Sequence, residues 1–304
     1  MAVPRLTSMT RRPAAPREVA LGARLRYLAP PMMELEPASE GNPRALASTR
    51  EISTGEILRA PAVRAEGLTK VFQDARGAPL HAADDISFEC YPGEVFGLLG
   101  PNGAGKSTTL RMLSTVLRPT AGSAVVAGHG LEEDPLGVRR SIGYLSSSTG
   151  LYGRLTARET LDYFGSLHGL SGVGLRARIA ELLLLFAMEE FADVRCEKLS
   201  TGTRQKVSIA RALIHDPPVL ILDEPTLGLD ILVASVMIRC IEDCRARGKC
   251  IILSTHIMSE VEKLCDRVAI IHRGKLRAVG TLAELRERTG KQYMDDIFLA
   301  FVEA

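Results

Sequence analysis

Val95-Phe96-Gly97-Leu98-Leu99-Gly100-Pro101-Asn102-Gly103-Ala104-Gly105-Lys106-Ser107-Thr108 runs from a short apolar stretch straight into a glycine-rich loop, and from there into a helical pattern. Two glycines separated by four residues and followed by Lys and a hydroxyl residue form the phosphate-binding loop pattern. A strand before it and a helix after it are the context that pattern needs. Glycines let the backbone curl so that consecutive N–H groups converge on phosphate oxygens, and the following helix directs its positive end to the same point. Gly100, Pro101, Asn102, Gly103, Ala104, Gly105, Lys106, Ser107 and Thr108 are therefore expected to hold a nucleoside triphosphate. Lys106 is expected on the β- and γ-phosphates and the Ser107 hydroxyl on Mg²⁺, a cation that takes oxygen ligands in octahedral geometry. The loop alone does not separate a GTPase from a kinase, a helicase or a transporter motor.

Outward from the loop, the run Val95–Leu99 has counterparts in Val219-Leu220-Ile221-Leu222, Cys250-Ile251-Ile252-Leu253 and Val268-Ala269-Ile270-Ile271. Each is continuous and β-branched or leucine-rich, as strands buried on both faces are. From Pro61 onward such runs alternate with helical patterns, which predicts an α/β fold with a mostly parallel sheet covered by helices. The stretch from about 141 to 195 instead carries helical spacing through Leu161, Phe164 and Leu167, and again through Ile179, Leu182, Leu183 and Phe186. That spacing predicts a helical insert in the α/β core.

Residues 1–60 read differently. They are rich in Arg and Pro, contain no Lys, Asp or Phe, and show no sustained periodicity. A disordered extension is expected there, with the folded domain over 61–304. Its six glutamates dilute the basic character, which argues against a lipid-binding arm and for a true start at Met9, Met32 or Met33.

The chain has 304 residues, of which 46% are hydrophobic, enough for one sizeable core. Its 38 basic and 36 acidic side chains leave a formal charge of +2, so no global field draws it to nucleic acid or anionic lipid. No run approaches the roughly 20 apolar residues needed to cross a bilayer. No secretory signal is evident, because arginines and prolines punctuate Pro4 to Pro31. Cys90, Cys196, Cys240, Cys244, Cys250 and Cys265 lack paired metal-site spacing and are read as reduced structural thiols, Cys240 and Cys244 included.

A second constellation lies downstream. Val219-Leu220-Ile221-Leu222-Asp223-Glu224-Pro225 is an apolar strand ending in two carboxylates. Adjacent residues at a strand end can take different duties: Asp223 to Mg²⁺, directly or through water, and Glu224 as general base for a water in line with the γ-phosphate. Shortly before that strand stands Leu199-Ser200-Thr201-Gly202-Thr203-Arg204-Gln205-Lys206, followed by a helical pattern. This segment resembles the signature motif of the ATP-binding cassette (ABC) family, usually Leu-Ser-Gly-Gly-Gln. Ser200 and Gly202 are kept, whereas Thr201 and Thr203 depart from it. Leu227-Gly228-Leu229-Asp230 resembles the family's D-loop, and Ser254-Thr255-His256 its switch region, whose histidine touches the γ-phosphate. Phe72 stands where the family places an aromatic that stacks on adenine.

The resemblance covers about residues 62–304. It implies a P-loop ABC cassette with a mostly parallel core sheet, an antiparallel β part, a helical insert and a short C-terminal tail over about 280–304. It implies ATP and Mg²⁺ as ligands, and catalysis by Glu224, His256 and Lys106. It implies that ATP is clasped between the phosphate loop of one cassette and Ser200, Gly202 and Thr203 of another, with Asp230 near that contact. One chain carries one of each, so a second cassette is expected, most simply in a homodimer, together with an integral membrane permease at the cytoplasmic face of the membrane and no nucleic acid. Within the family, the altered signature and Gly143-Tyr144-Leu145-Ser146-Ser147-Ser148-Thr149-Gly150-Leu151-Tyr152 resemble the ATPases of sodium exporters. The family's usual glutamine is missing there, with Ser147 at the matching position, and altered coupling to the permease is expected. The competing expectation is a soluble ABC ATPase in an assembly role such as iron–sulfur cluster formation.

Overall fold

A computed structural model describes residues 60–74, 76–146 and 150–303. Residues 1–59 of the expected extension, and Ser147, lie outside the described residues. The central sheet holds β3 (Val95–Leu99), β6 (Ile142–Leu145), β7 (Val219–Asp223), β8 (Cys250–Thr255), β9 (Arg267–His272) and β10 (Lys275–Thr281) in the order β10-β9-β3-β8-β7-β6. All its pairings are parallel except that of β10 with β9. A second, antiparallel sheet has the order β2-β1-β4-β5, from β1 (Val63–Gln73), β2 (Pro79–Cys90), β4 (Ala121–Val126) and β5 (His129–Gly130).

The apolar runs are continuous because the central sheet is covered on both faces. Along β3, Phe96 and Leu98 face the layer that contains the antiparallel sheet and α1 (Lys106–Leu113), whereas Val95 and Leu99 face the opposite, helical layer. Along β7 the same alternation sends Val219 and Ile221 one way and Leu220 and Leu222 the other. Phe88 of β2 stacks on Phe96 with ring centroids 5.0 Å apart, joining the two sheets. Full burial of a side chain of this size contributes about 1.5–3 kcal/mol, and Phe96 is fully buried.

The helical layer contains α5 (Thr201–Leu213), α6 (Ile231–Ala246) and the insert helices α3 (Ala157–Leu167) and α4 (Gly172–Leu185). Thr156 and Glu159 form a capping box that fixes the start of α3. The insert begins later than the expected 141: Ile142–Leu145 is the edge strand of the central sheet, paired in register with Val219–Leu222. Ile179, Leu182, Leu183 and Phe186 are buried as their spacing predicts, but Leu167, placed by spacing on the same face as Leu161, is exposed. At the C-terminus the expected tail is two helices, α8 (Leu282–Thr289) and α9 (Met294–Glu303), which put Leu285, Met294 and Ile297 into the core. In chain order α2 (Pro135–Ser141) runs between β5 and β6, and α7 (Met258–Leu264) between β8 and β9. Among the described residues no helix is long and apolar enough to cross a membrane.

Candidate functional site

Strand order builds the site. β8 lies between β3 and β7, and its register sets Thr255 opposite Leu99 and Ser254 opposite Asp223. The loop after β3, the carboxylates at the end of β7 and the residue after β8 thus meet at the C-terminal ends of three neighbouring parallel strands. At Gly105 the backbone has φ +111°, and a Cβ there would lie 2.4 Å from the Ala82 carbonyl oxygen, so only glycine lets the loop turn this tightly against β2. Helix α1 starts at Gly105 with no side-chain cap, whereas α5 is capped by Ser200 and α6 by Asp230. The first N–H groups of α1 are left for an outside anion.

Lys106 is buried, and its Nζ donates to the carbonyls of Gly100 at 2.6 Å and Pro101 at 3.1 Å. It lies 3.7 Å from Glu224 Oε1. Burial pushes its ammonium pKa down, while the Glu224 and Asp223 carboxylates push it back up. Asp223 Oδ1 accepts from Ser107 Oγ at 2.9 Å and from Ser254 Oγ at 2.7 Å. Glu224 stands just beyond the strand with φ 49°, a left-handed backbone that is costly for a residue with a Cβ. Its N–H donates to Ser254 Oγ at 3.0 Å, and its Oε1 lies 3.2 Å from His256 Nδ1. Thr226 and Thr255 both donate to Glu260, tying the loop after Glu224 to the segment around His256.

The structure therefore brings Lys106, Ser107, Asp223, Glu224 and His256 together. The donor set fits a magnesium nucleotide: the Ser107 and Asp223 oxygens sit side by side, the helix start has no side-chain cap and can take a phosphate, and Lys106 supplies the cation. The sequence pattern assigns no role to Ser254 or Glu260. Their contacts depend on β7 pairing with β8, which spacing does not reveal.

The remaining candidates lie elsewhere. Phe72, on β1, is 40% exposed with Lys70 Nζ 5.5 Å from its ring centre. Ser200 Oγ accepts from the Thr203 N–H at 3.2 Å, and Asp230 Oδ1 from those of Leu232 and Val233 at 2.9 and 3.0 Å. A Cβ on Gly202 would come within 2.9 Å of Val233 Cγ2, so the starts of α5 and α6 abut. None of these bonds reaches the phosphate loop. Around them Leu227, Ile231 and Leu232 are 52%, 87% and 78% exposed.

The ABC transporter family model matches residues 83–227. The ABC transporter ATP-binding protein NatA of Bacillus subtilis is 43% identical over 230 residues, covering 75% of this chain and 93% of NatA. The probable multidrug ABC transporter ATP-binding protein YbhF of Escherichia coli is 36% identical over 258 residues, and this chain spans only 43% of its length. A solved dimeric post-hydrolysis state of the ATP-binding cassette MJ0796, bound to ADP and Pi, superposes with a TM-score of 0.67 at 26% identity, covering 72% of this chain and 98% of that one.

Proposed function

This chain belongs to the ABC transporter ATP-binding family, and we propose that Glu224 is the general base with which it hydrolyses ATP to drive export through a separate membrane subunit. The observation that carries this is the position of the Glu224 carboxylate, 3.7 Å from Lys106 Nζ and 3.2 Å from His256 Nδ1. Lys106 and the α1 start would bind the β- and γ-phosphates, and Ser107 and Asp223 would hold Mg²⁺, whose chemistry is to neutralise charge on the phosphates. Glu224 would take the proton of the attacking water, and His256 would orient that carboxylate and meet the γ-phosphate. Phe72 would stack on adenine.

Ser200, Gly202, Thr203 and Asp230 would act on nucleotide held by a second copy. The exposed apolar side chains around Asp230 and the dimeric MJ0796 cassette support that assembly. A permease would dock beside residues 141–165 on the cytoplasmic face of the membrane. The altered signature, the Ser147 substitution for glutamine and the likeness to NatA support sodium as cargo. A test uses the chain co-expressed with its membrane subunit. Glu224→Gln should cut phosphate release by about 10² to 10⁴ and stop ATP-driven sodium uptake into inside-out vesicles. Turnover equal to that of the unaltered chain would refute the base. Purification with soluble partners alone would refute the transporter role, and uptake of no sodium the cargo.

A further inference from the structure

Among the described residues, one buried cation without a counterion lies beneath an exposed aromatic cluster on the insert. Tyr163 meets Tyr152 and Phe164 edge-on, at 6.0 and 5.3 Å between ring centroids, and Tyr152 stacks against Phe164 at 6.4 Å. Tyr152 and Tyr163 are half-exposed, and Leu167, one turn further along α3, is more open still. Arg211 reaches this cluster from the last turn of α5, its guanidinium carbon 5.1 Å from the Phe164 ring centre. The residue is only 9% exposed. Among the described residues its guanidinium makes no ion pair and no hydrogen bond.

Among the described residues the other buried cations are paired, Lys249 with Asp216 and Lys106 with Glu224, as are the half-buried Arg178 with Glu181 and Arg267 with Glu94. Arg211 has only partial charges to lean on, the Phe164 face and the C-terminal end of α5. Burial pushes its pKa down, and the Tyr152 phenol opposes that only in part. A guanidinium taken out of water calls for a planar, two-oxygen acceptor.

We propose that Arg211 is the anchor for a carboxylate carried on a cytoplasmic segment of the membrane subunit, whose neighbouring apolar side chain rests on Tyr152, Tyr163 and Leu167. This rests on the transporter reading and names the chemistry of the docking segment. Charge complementarity selects the occupant: an acidic, partly apolar segment both neutralises Arg211 and covers the aromatic rings. Arg211 and Ser200 stand at opposite ends of the same helix.

The test places a photoreactive phenylalanine derivative at Tyr163 of the full chain in native membranes and identifies the crosslinked peptide. The expected peptide comes from a cytoplasmic loop of a multi-spanning protein and carries Asp or Glu within one helical turn of the crosslink. Arg211→Met should lower its yield about tenfold or more, and Arg211→Glu combined with Lys in place of that acid should restore it. Arg211→Lys, which keeps the charge, serves where Arg211→Met does not fold. A multi-spanning partner whose peptide lacks an acid, or a charge swap that fails to rescue, overturns the proposal and leaves the transporter reading standing. Capture of residues 1–59 of this chain does the same. Capture of no multi-spanning protein sinks both.

Discussion

Ser254 shows how much of this site depends on a side chain without chemistry of its own. Its buried hydroxyl donates to Asp223 Oδ1 at 2.7 Å and accepts the Glu224 N–H at 3.0 Å, so one atom sets the positions of both carboxylates. In Ser254→Ala, the Glu224 N–H keeps the Ser254 carbonyl at 3.2 Å and Asp223 keeps Ser107 at 2.9 Å. The loss of a buried hydrogen bond costs about 1 kcal/mol of stability, and the freed carboxylates should lower ATP turnover about tenfold. The Mg²⁺ concentration needed for half-maximal rate should rise as well. A variant with unchanged turnover and unchanged Mg²⁺ dependence would deny Ser254 this role. Lys106, Ser107, Asp223 and Glu224 were legible in the sequence because each is contiguous with the strand or loop that positions it. The role of Ser254 was not, since it arises from the register between two strands far apart in the chain.

Elements are joined by contacts that spacing hides, and the clasp between α3 and the end of α5 is one of them. His168, which closes α3, stacks on His215 with ring centroids 3.5 Å apart and planes 3° from parallel. His215 Nε2 also lies 3.0 Å from the Ile142 carbonyl oxygen at the start of β6. Burial, then His168, then Lys249 lower the His215 pKa from 6.5 to about 4, against the Ile142 carbonyl and Asp216, which raise it. The unfolded chain therefore takes up a proton that the folded chain refuses. Stability is full above 6.5 and falls as the pH drops from 6.5 towards about 4. Discounted for partial exposure, the loss is about 2 kcal/mol. Urea midpoints measured at pH 7 and pH 5 should diverge less in His215→Gln than in the unaltered chain. An equal divergence would show that the ring does not titrate this way. The start of the insert was misplaced for a related reason: α2 passes into β6 without a turn residue, so the helical pattern hides a four-residue edge strand. The four apolar strands were legible because a sheet covered on both faces needs unbroken runs.

At the scale of the whole molecule, the chain presents two unlike surfaces, a phosphate-facing edge built on Lys106 and Glu224 and a separate surface at the starts of α5 and α6. The second meets the first through Gln205 Nε2, which donates to the Pro225 carbonyl at 3.3 Å, and it carries a capped helix start at Ser200 beside Leu227, Ile231 and Leu232, all exposed. Apolar side chains this open beside the Ser200 hydroxyl fit a mate whose own phosphate edge covers them. Arranged head to tail, two copies satisfy both surfaces twice, and bound ATP becomes part of each contact. In a Glu224→Gln background, where ATP would persist, light scattering should report a doubling of mass on adding ATP and none without it. Adding Ile231→Asp, at a position 87% exposed and so without cost to folding, should weaken that association at least tenfold. Fluorescent nucleotide should still bind the single chain, because Lys106 and the α1 start are untouched. An association indifferent to both ATP and Ile231→Asp would mean that the exposed apolar surface belongs to some other contact, and the clasping of nucleotide between copies would have to be abandoned.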